Sequence, residues 1–471
     1  MTTAIRATGS QTELAYIIQT EQNTTPTTGT MKTVNCAAET FDAQRPTEFD
    51  QDITSDGMKR STIEQLNTVS GGFTGEFETG AHEDFLISAL GRSSLTQVSL
   101  TDTVSMTGTG VAGADATLTF SGAVSISGLI AGGPVKLGGY TEDSFNGIFR
   151  IKTASSTTGQ VVVSPLDPDH KFDNSTEAGA SKTTYQRYAK NGGSDIVAIL
   201  VEKRMTHIAK ENGVLRTIGN RVNSVGFTCQ PGGSLGLSVD AVGLKDAVAS
   251  DGLIGPHDYV ANGITAIGQT SVAIKSGTTD PAAGDILYFE GDRTRYNVAS
   301  FGGGAVVISP ALVVATADEQ KAFFYRPATN SGKGQKHANN LGYVIVDGSA
   351  QCLNSINLTV TPNFQPINCI GNENAIDMTF GERSVTGSLV THFSDNVQAL
   401  LAKIRAKTAF SAVFFSADSL GNVACLQLPS IEADKEFAKR ADMNAVEQNI
   451  PFKAVKDTAT GTNFIFHSIE A

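Results

Sequence analysis

Histidine, cysteine and acidic residues could support catalytic or metal-binding chemistry, but their spacing in this chain matches no recognised site. The seven histidines do not cluster. His82 and His392 lie at the start of a predicted helix and in a predicted strand, where we expect exposed structural positions. Residues 167–170 read DPDH, which lacks the glycine and the terminal glutamate of a calcium loop. We therefore expect an ordinary turn there.

The sequence also lacks the motifs of common enzymes. Residues 128–139, GLIAGGPVKLGG, have neither P-loop nor dinucleotide-binding spacing, and no helix is predicted after them. No GxSxG or HExxH motif and no Cys/His pair at catalytic spacing is present. We predict that the chain is not an enzyme and has no catalytic residue, no cofactor and no metal site.

The cysteines indicate neither a disulfide framework nor a zinc site, because they are odd in number, scattered and without CxxC spacing. They are Cys36, Cys229, Cys352, Cys369 and Cys425. We expect small, mostly buried residues in a protein made in a reducing compartment.

Composition favours a mainly β protein. Glycine is abundant, at 48 residues, tryptophan is absent, and serine, threonine and valine recur between short alternating runs. The net charge of −12 disfavours a protein that grips DNA, since such proteins present a basic surface to the phosphates. No segment has the length of a signal peptide core or the ~20 apolar residues of a membrane span, so we expect a chain made in the cytosol with no membrane partner.

One strand-to-helix pattern occurs twice, at residues 68–90 and 384–404. In each copy alternating apolar residues indicate a strand, and a helical period follows. Gly71 matches Gly387 and Phe77 matches Phe393. Thr79 and Asp395 stand where an N-cap oxygen is expected. The complete signature is Gly71, Phe73, Phe77, Phe85 and Leu86 in the first copy and Gly387, Leu389, Phe393, Leu400 and Leu401 in the second.

The segments after each helix also correspond. Residues 196–201 match 410–415, and residues 234–242 match 445–455. Between them stand two Gly/Ser/Thr-rich stretches, in which residues 149–166 parallel residues 296–312 as a strand, a turn and a strand halted by proline. The predicted organisation is an N-terminal arm (1–30), a first domain (31–95 plus 186–250), inserted β modules (96–185 and 251–335) and a second domain (336–471).

These segments together resemble the major tail tube proteins of long-tailed bacteriophages with flexible, non-contractile tails. The resemblance rests on the two signature copies, on LQLPSIEADKEF at residues 426–437 and on IPFKAVKDTATGTNFIF at residues 450–466. It implies two β-sandwich or half-barrel domains, each with one flanking helix, and two small inserted β-barrel or sandwich modules that face outwards.

The resemblance implies a structural virion protein that stacks as rings into the tail tube, assembled in the host cytoplasm. Two domains per chain imply a trimeric, pseudo-hexameric ring, with a ring of six chains as the alternative. Implied partners are the tape measure protein, the terminator and tip proteins, and double-stranded DNA that passes through an acidic or neutral lumen without specific binding.

The resemblance also implies that the arm and the loops at residues 41–67 and 364–383 contact the next ring. The candidate contact residues are Arg45, Asp52, Lys59, Arg60, Glu64, Glu373 and Arg383. Two other interpretations stay open, namely a β-rich surface adhesin or carbohydrate-binding protein and an enzyme with an unfamiliar site. Glycan binding without tube formation would favour the adhesin, and a deep pocket of convergent titratable groups would favour the enzyme.

Overall fold

The computed structural model describes residues 12–26, 29–49, 62–121, 126–205, 214–247, 257–275, 280–292, 294–392, 395–433 and 447–471. The predicted mainly β class is confirmed: strands dominate these residues and only two α-helices occur, α1 (Glu83–Ala89) and α2 (Asp395–Arg405). Neither helix is long and apolar enough to cross a membrane.

Seventeen of the described strands lie before residue 251, where the predicted first domain ends. They are β1 (Thr12–Gln19), β2 (Lys32–Thr33), β3 (Ala38–Glu39), β4 (Asp42–Gln44), β5 (Thr47–Phe49), β6 (Thr62–Glu64), β7 (Thr68–Glu76), β8 (Thr96–Thr107), β9 (Ala116–Phe120), β10 (Pro134–Gly138), β11 (Gly147–Ser155), β12 (Gln160–Pro165), β13 (Thr176–Lys190), β14 (Ala198–Met205), β15 (Val214–Cys229), β16 (Gly236–Gly243) and β17 (Lys245–Ala247).

The remaining strands are β18 (His257–Val260), β19 (Ser271–Ala273), β20 (Ile286–Phe289), β21 (Tyr296–Gly302), β22 (Ala305–Ser309), β23 (Lys321–Tyr325), β24 (Ala338–Val346), β25 (Ser349–Gln351), β26 (Leu353–Thr361), β27 (Phe364–Ile367), β28 (Asp377–Phe380), β29 (Ser384–His392), β30 (Phe410–Ala417), β31 (Val423–Ala433), β32 (Glu447–Ala454) and β33 (Ile465–Ile469).

Two sets of strands follow one pairing pattern. In the first set β7 pairs with β16, β16 with β15, and β15 with β14. In the second set β29 pairs with β32, β32 with β31, and β31 with β30. The registers also correspond: the matching pairs are Ser70–Val242 with Thr386–Lys453, Gly71–Ala241 with Gly387–Phe452, and Phe73–Val239 with Leu389–Ile450.

The outer strands repeat the correspondence. Tyr16 lies opposite Val201 between β1 and β14, and Val346 lies opposite Ala412 between β24 and β30. The first hairpin, β5–β6, corresponds to the second hairpin, β27–β28. Thr47 lies opposite Glu64 in the first, and Phe364 lies opposite Phe380 in the second. A register shift interrupts β14–β15 and β30–β31 at corresponding places.

The inserted stretches form two six-stranded sheets with the same strand order, and β13 of the first also pairs with β33. In one, β8, β13, β10, β11, β12 and β9 follow in turn, and the pairing of β8 with β9 closes a barrel. In the other, β18, β23, β20, β21, β22 and β19 follow in turn. A bridge between Ala261 and Ile274 joins the ends of that second sheet. Each sheet encloses its own apolar cluster.

Both strand sets share one apolar core. Phe73 and Val239 from the first set and Phe452 from the second are almost completely buried in it. The alternation of side chains along each strand turns these residues inwards and leaves the hydroxyl-bearing residues between them on the opposite face. Sheet-to-sheet packing therefore joins the two halves of the chain.

Three local predictions were wrong. Thr79 does not cap α1, because the helix begins at Glu83 after His82 and the Thr79 hydroxyl lies 2.8 Å from Nε2 of His337. Asp395 is the first residue of α2 and not its cap. His82 is buried, not exposed: its Nδ1 accepts a hydrogen bond from the Glu78 amide (3.1 Å).

The cysteine prediction was correct only in part. All five cysteines are free, and Cys425 is buried. Cys352 and Cys369 are exposed, because one lies at a strand end and the other in a hairpin loop. Residues 41–67, predicted to be a loop, contain the short strands β4, β5 and β6.

Candidate assembly surfaces

Among the described residues, β3 and β4 form an open edge of the first strand set. Both strands pair with β7 through Glu39–Phe73 and Ala43–Val69. Their corresponding strand, β26, pairs with β29 through Val360–Val385 and with β15 through Val225–Val360. Among the described residues no strand occupies the matching outer edge of β3 and β4. An unpaired edge presents amide and carbonyl groups that can bind another strand.

A close backbone approach shapes this edge. A Cβ atom on Gly71 would lie 2.3 Å from the Cα atom of Phe41. The Thr40 amide donates to the Gly72 carbonyl (2.9 Å), and the Gly72 amide donates to the Thr40 hydroxyl (3.0 Å). The glycine pair in β7 thus lets the irregular strand β3–β4 lie against it, so the edge has a defined position.

The two hairpins carry exposed apolar side chains. Phe49 and Ile63, in β5–β6, are 63% and 58% exposed. In the second hairpin Ile367 and Ile376 are each 40% exposed, and Ile370 is fully exposed. Soluble monomers rarely present such clusters unless another surface covers them.

Three of the predicted contact residues lie together between the hairpins. Arg45, Glu64 and Glu373 line one cavity of about 650 Å³. Arg45 Nη2 contacts Asp246 Oδ2 at 2.6 Å, and the Glu373 carbonyl accepts a hydrogen bond from the Asn67 amide (2.8 Å). The charges of this group are exposed and available to a facing surface.

Arg383 does not join that group. Its guanidinium lies over the Phe380 ring, 3.8 Å from the centroid, and donates to the Gly193 carbonyl (2.5 Å). Burial, together with the charge of Arg92, lowers the pKa of Arg383. Arg383 therefore fixes the base of the second hairpin. The other predicted contacts, Asp52, Lys59 and Arg60, lie outside the described residues.

The signature residues position these surfaces from inside. Phe73, Phe77, Phe85 and Leu86 of the first copy are buried, as are Leu389 and Leu401 of the second, whereas Leu400 is half-buried. Gly387 lies opposite Phe452 as Gly71 lies opposite Ala241. Phe393 lies outside the described residues.

Buried charges stabilise the strands beside the open edge. Glu202 is fully buried and accepts hydrogen bonds from Arg204 Nε (2.8 Å) and from Arg216 Nε (2.9 Å). Arg204 Nη1 also donates to the Arg326 carbonyl (3.0 Å), which follows the second inserted sheet. In the described part of the chain no group of three or more His, Cys, Asp or Glu side chains is placed to hold a metal ion.

Sequence reasoning missed the exposed isoleucines of the second hairpin and the open edge. The isoleucines could have been found from IGNENAI at residues 370–376, where apolar residues stand in an otherwise polar loop. The open edge had no sequence signal, because it depends on which strands pair.

Comparison with known proteins identifies the chain's family. A search of curated proteins returned no match. The family described as phage tail tube protein matches residues 9–454, which includes both strand sets and both inserted sheets. The chain therefore belongs to the phage tail tube protein family and is a structural component of the virion.

Proposed function

We propose that the chain carries the same tube-forming unit twice and that three chains close six units into a ring. Stacked rings would form the tube of a long, non-contractile tail, through which the genome passes. The units comprise residues 31–95 plus 186–250 and residues 336–471, with modules at 96–185 and 251–335 and an arm at 1–30. The role is structural and not enzymatic.

The main support is the junction inside one chain. β15 of the first unit pairs with β26 of the second along Val225–Val360 and Phe227–Leu358. The equivalent of β26 in the first unit is β3–β4, whose outer edge is open. The equivalent of β15 in the second unit is β31. The described part of β31 ends at Ala433, which corresponds to Val222, three residues before the part of β15 that pairs with β26. We infer that the same junction forms between the C-terminal end of β31 in one chain and β3–β4 of the next.

Repetition of one junction gives a closed assembly. Each unit contributes four neighbouring strands, β3–β4, β7, β16 and β15 in the first and β26, β29, β32 and β31 in the second. Identical edges that bind head to tail form either a ring or an open filament, and closure removes all open edges. Six units from three chains provide the ring.

The face of these strands opposite the core suits the passage of DNA. Its described residues are mainly Ser, Thr, Asn and Gly, including Ser238 and Thr359. Its exposed charged residues, among those described, are Asp42, Glu76, Asp240, Glu432 and Lys453. Arg221 lies on the same face but is buried against Phe364 of the second hairpin. Four carboxylates to one ammonium group give a surface that does not hold phosphates, because DNA affinity needs Lys and Arg to displace counterions.

Mass and imaging test the proposal. Native mass spectrometry of the smallest assembly should give three chains, and electron microscopy should show rings and tubes with a bore. Six chains per ring would support the alternative hexamer, and compact particles without a bore would refute the tube assignment.

Cross-linking tests the junction itself. Ala433 of β31 corresponds to Val222 of β15, because they pair with the equivalent residues Phe452 and Ala241. Ala43 of β4 corresponds to Val360 of β26, because they pair with the equivalent residues Val69 and Val385. Val222 is three residues from Val225, which pairs directly with Val360. At ~3.3 Å per residue, Val222 and Val360 lie roughly 10 Å apart, and we expect the same distance between Ala433 and Ala43 of neighbouring chains.

We expect the double variant Ala43→Cys/Ala433→Cys, with Cys36, Cys352 and Cys369 replaced by serine, to give covalent trimers with a bismaleimide of that span. Each single variant is the matched control and should stay monomeric on a denaturing gel. Intact rings without interchain links would rule out this pairing of edges.

A further inference from the structure

The second hairpin ends in an apolar projection. Between β27 and β28 the loop carries Ile370, which is completely exposed, next to the exposed Cys369. Ile367 and Ile376 flank it and are each 40% exposed. The neighbouring Asn372 and Glu373 are polar, so the isoleucines form a small apolar patch with a polar rim. That pattern is typical of an interaction surface.

An apolar cavity of about 350 Å³ lies at the junction of the two units. Its floor is made of buried side chains, including Phe227, Ile356 and Phe414. Its mouth contains the exposed Pro231 and Cys352. A cavity of this size and lining can accept a branched apolar side chain.

The projection and the cavity lie at opposite ends of one strand. β26 begins at Leu353, which lines the cavity, and ends at Thr361, three residues before the hairpin strand β27. The cavity lining reaches Ile356 on β26, and the five residue steps from Ile356 to Thr361 span roughly 17 Å at ~3.3 Å each. A copy displaced along this direction brings its projection to the cavity of the copy below.

We infer that, in the stacked rings proposed above, the Ile370 projection of one ring inserts into the cavity between β15 and β26 of the next ring. The occupant is a second copy of this chain. The interface is heterologous, because the two surfaces differ and stand at opposite ends of the unit. Such an interface repeats without limit along an axis, as a tube requires, and this inference rests on the proposed function.

The chain's own cysteines report this contact. Cys369 is adjacent to Ile370, and Cys352 and Cys229 line the cavity. Burial raises the pKa of Cys229 to about 11, so its thiol is protonated near neutral pH and reacts slowly with maleimides. Cys352 is exposed and is therefore the expected partner of Cys369.

Cross-linking of unmodified tubes is the first test. A short bismaleimide should join Cys369 of one chain to Cys352 of another, as identified by peptide mass spectrometry, and the link should be lost when tubes are dissociated into rings. Within one chain β26 separates the two residues, because Cys352 precedes β26 and Cys369 lies in the loop after β27, so we do not expect a short reagent to join them. Tubes in which Cys369 stays unlinked, or links to another segment, would overturn the inference.

The second test separates stacking from ring formation. Ile370→Asp should leave rings of wild-type mass but reduce the number of tubes at least tenfold. Ile264→Asp is the matched control, because Ile264 is 79% exposed in the loop between β18 and β19 and lies outside the proposed interface. Wild-type tubes from Ile370→Asp would refute the docking and leave the ring intact. Failure of the unmodified chain to form rings would refute the proposed function and, with it, the docking.

Discussion

Gly387 lies directly against the ring of Phe452, and a Cβ atom at residue 387 would come within 2.6 Å of the Phe452 Cζ atom. The same Cβ would lie 2.3 Å from the Asn357 carbonyl oxygen. Neither neighbour is free to move, because Phe452 is buried in the shared core and Asn357 lies in β26. This contact explains why the second signature copy has glycine at this position.

We therefore expect Gly387→Ala to destabilise the chain by about 1–3 kcal/mol, the usual cost of forcing an extra carbon into a packed core. The urea midpoint at constant slope measures this change. Gly302→Ala is the matched control, since a Cβ at residue 302, also in a strand, would meet no atom within 4 Å. Equal midpoints for the two variants would contradict the packing argument.

The buried carboxylate of Glu202 supports a second prediction. Glu202→Gln keeps the shape of the side chain but removes the negative charge that Arg204 and Arg216 share in a region that is almost fully buried. Breaking a buried ion pair from one side costs about 3–5 kcal/mol. Urea unfolding should show a loss of that size.

The control for Glu202 is an exposed ion pair. Lys152 contacts Asp115 at 2.7 Å, but their side chains are 54% and 33% exposed. Lys152→Gln should change the free energy of unfolding by less than about 1 kcal/mol. A small effect of Glu202→Gln, similar to that of Lys152→Gln, would mean that solvent or relaxation compensates the buried charges.

The strand pattern could be predicted from the sequence because it depends on neighbouring residues. The alternation of Val69 and Phe73, and of Val385 and Leu389, indicates which face of each strand is buried. The match of Gly71 with Gly387 also predicts the common register, since both positions oppose equivalent partners.

The remaining details could not be predicted because they depend on contacts between distant residues. Thr79 has the chemistry of a helix cap, but His337, 258 residues away, takes its hydroxyl group. The cavity near Cys352 needs Phe227 and Phe414, which come from different strand sets. No local sequence pattern specifies such contacts between distant residues.

The buried His82 makes stability depend on pH. Burial lowers the pKa of His82 to about 4, and the ring is neutral, with Nε2 donating to the Asn35 carbonyl (2.8 Å) and Nδ1 accepting from the Glu78 amide. In the unfolded chain the pKa is about 6.5. Between these values the unfolded state binds a proton that the folded state does not, so stability falls as pH falls.

We expect a loss of about 2 kcal/mol from His82 between pH 7.5 and pH 5, by linkage over these two pKa values. His467 is also buried, and burial lowers its pKa to about 3, so it adds a similar loss. Free energies of unfolding across this range measure the slope. His82→Gln should reduce the slope of the free energy of unfolding against pH by an amount equal to the uptake of up to one proton. An unchanged slope would show that His82 does not take up a proton on unfolding.

The last prediction concerns the face proposed to line the lumen. Thr359 and Thr386 lie opposite each other on β26 and β29, on the side of the sheet away from the core. Thr359→Lys/Thr386→Lys adds two positive charges per chain where the described charged residues are mainly acidic. Tubes of this variant should retain short duplex DNA at low salt and release it steeply as salt rises, because each phosphate contact displaces a counterion.

Nuclease protection distinguishes the lumen from the outer surface. DNA retained inside the Thr359→Lys/Thr386→Lys tubes should survive digestion, and wild-type tubes should protect none. The control Ile264→Lys/Ile267→Lys adds the same charge at residues that are 79% and 64% exposed in the loop between β18 and β19, so any DNA it binds should be digested. If DNA on the Thr359→Lys/Thr386→Lys tubes were digested as fast as DNA on the control, this face would not line an enclosed channel. The β26–β29 sheet would then face the outside of the assembly.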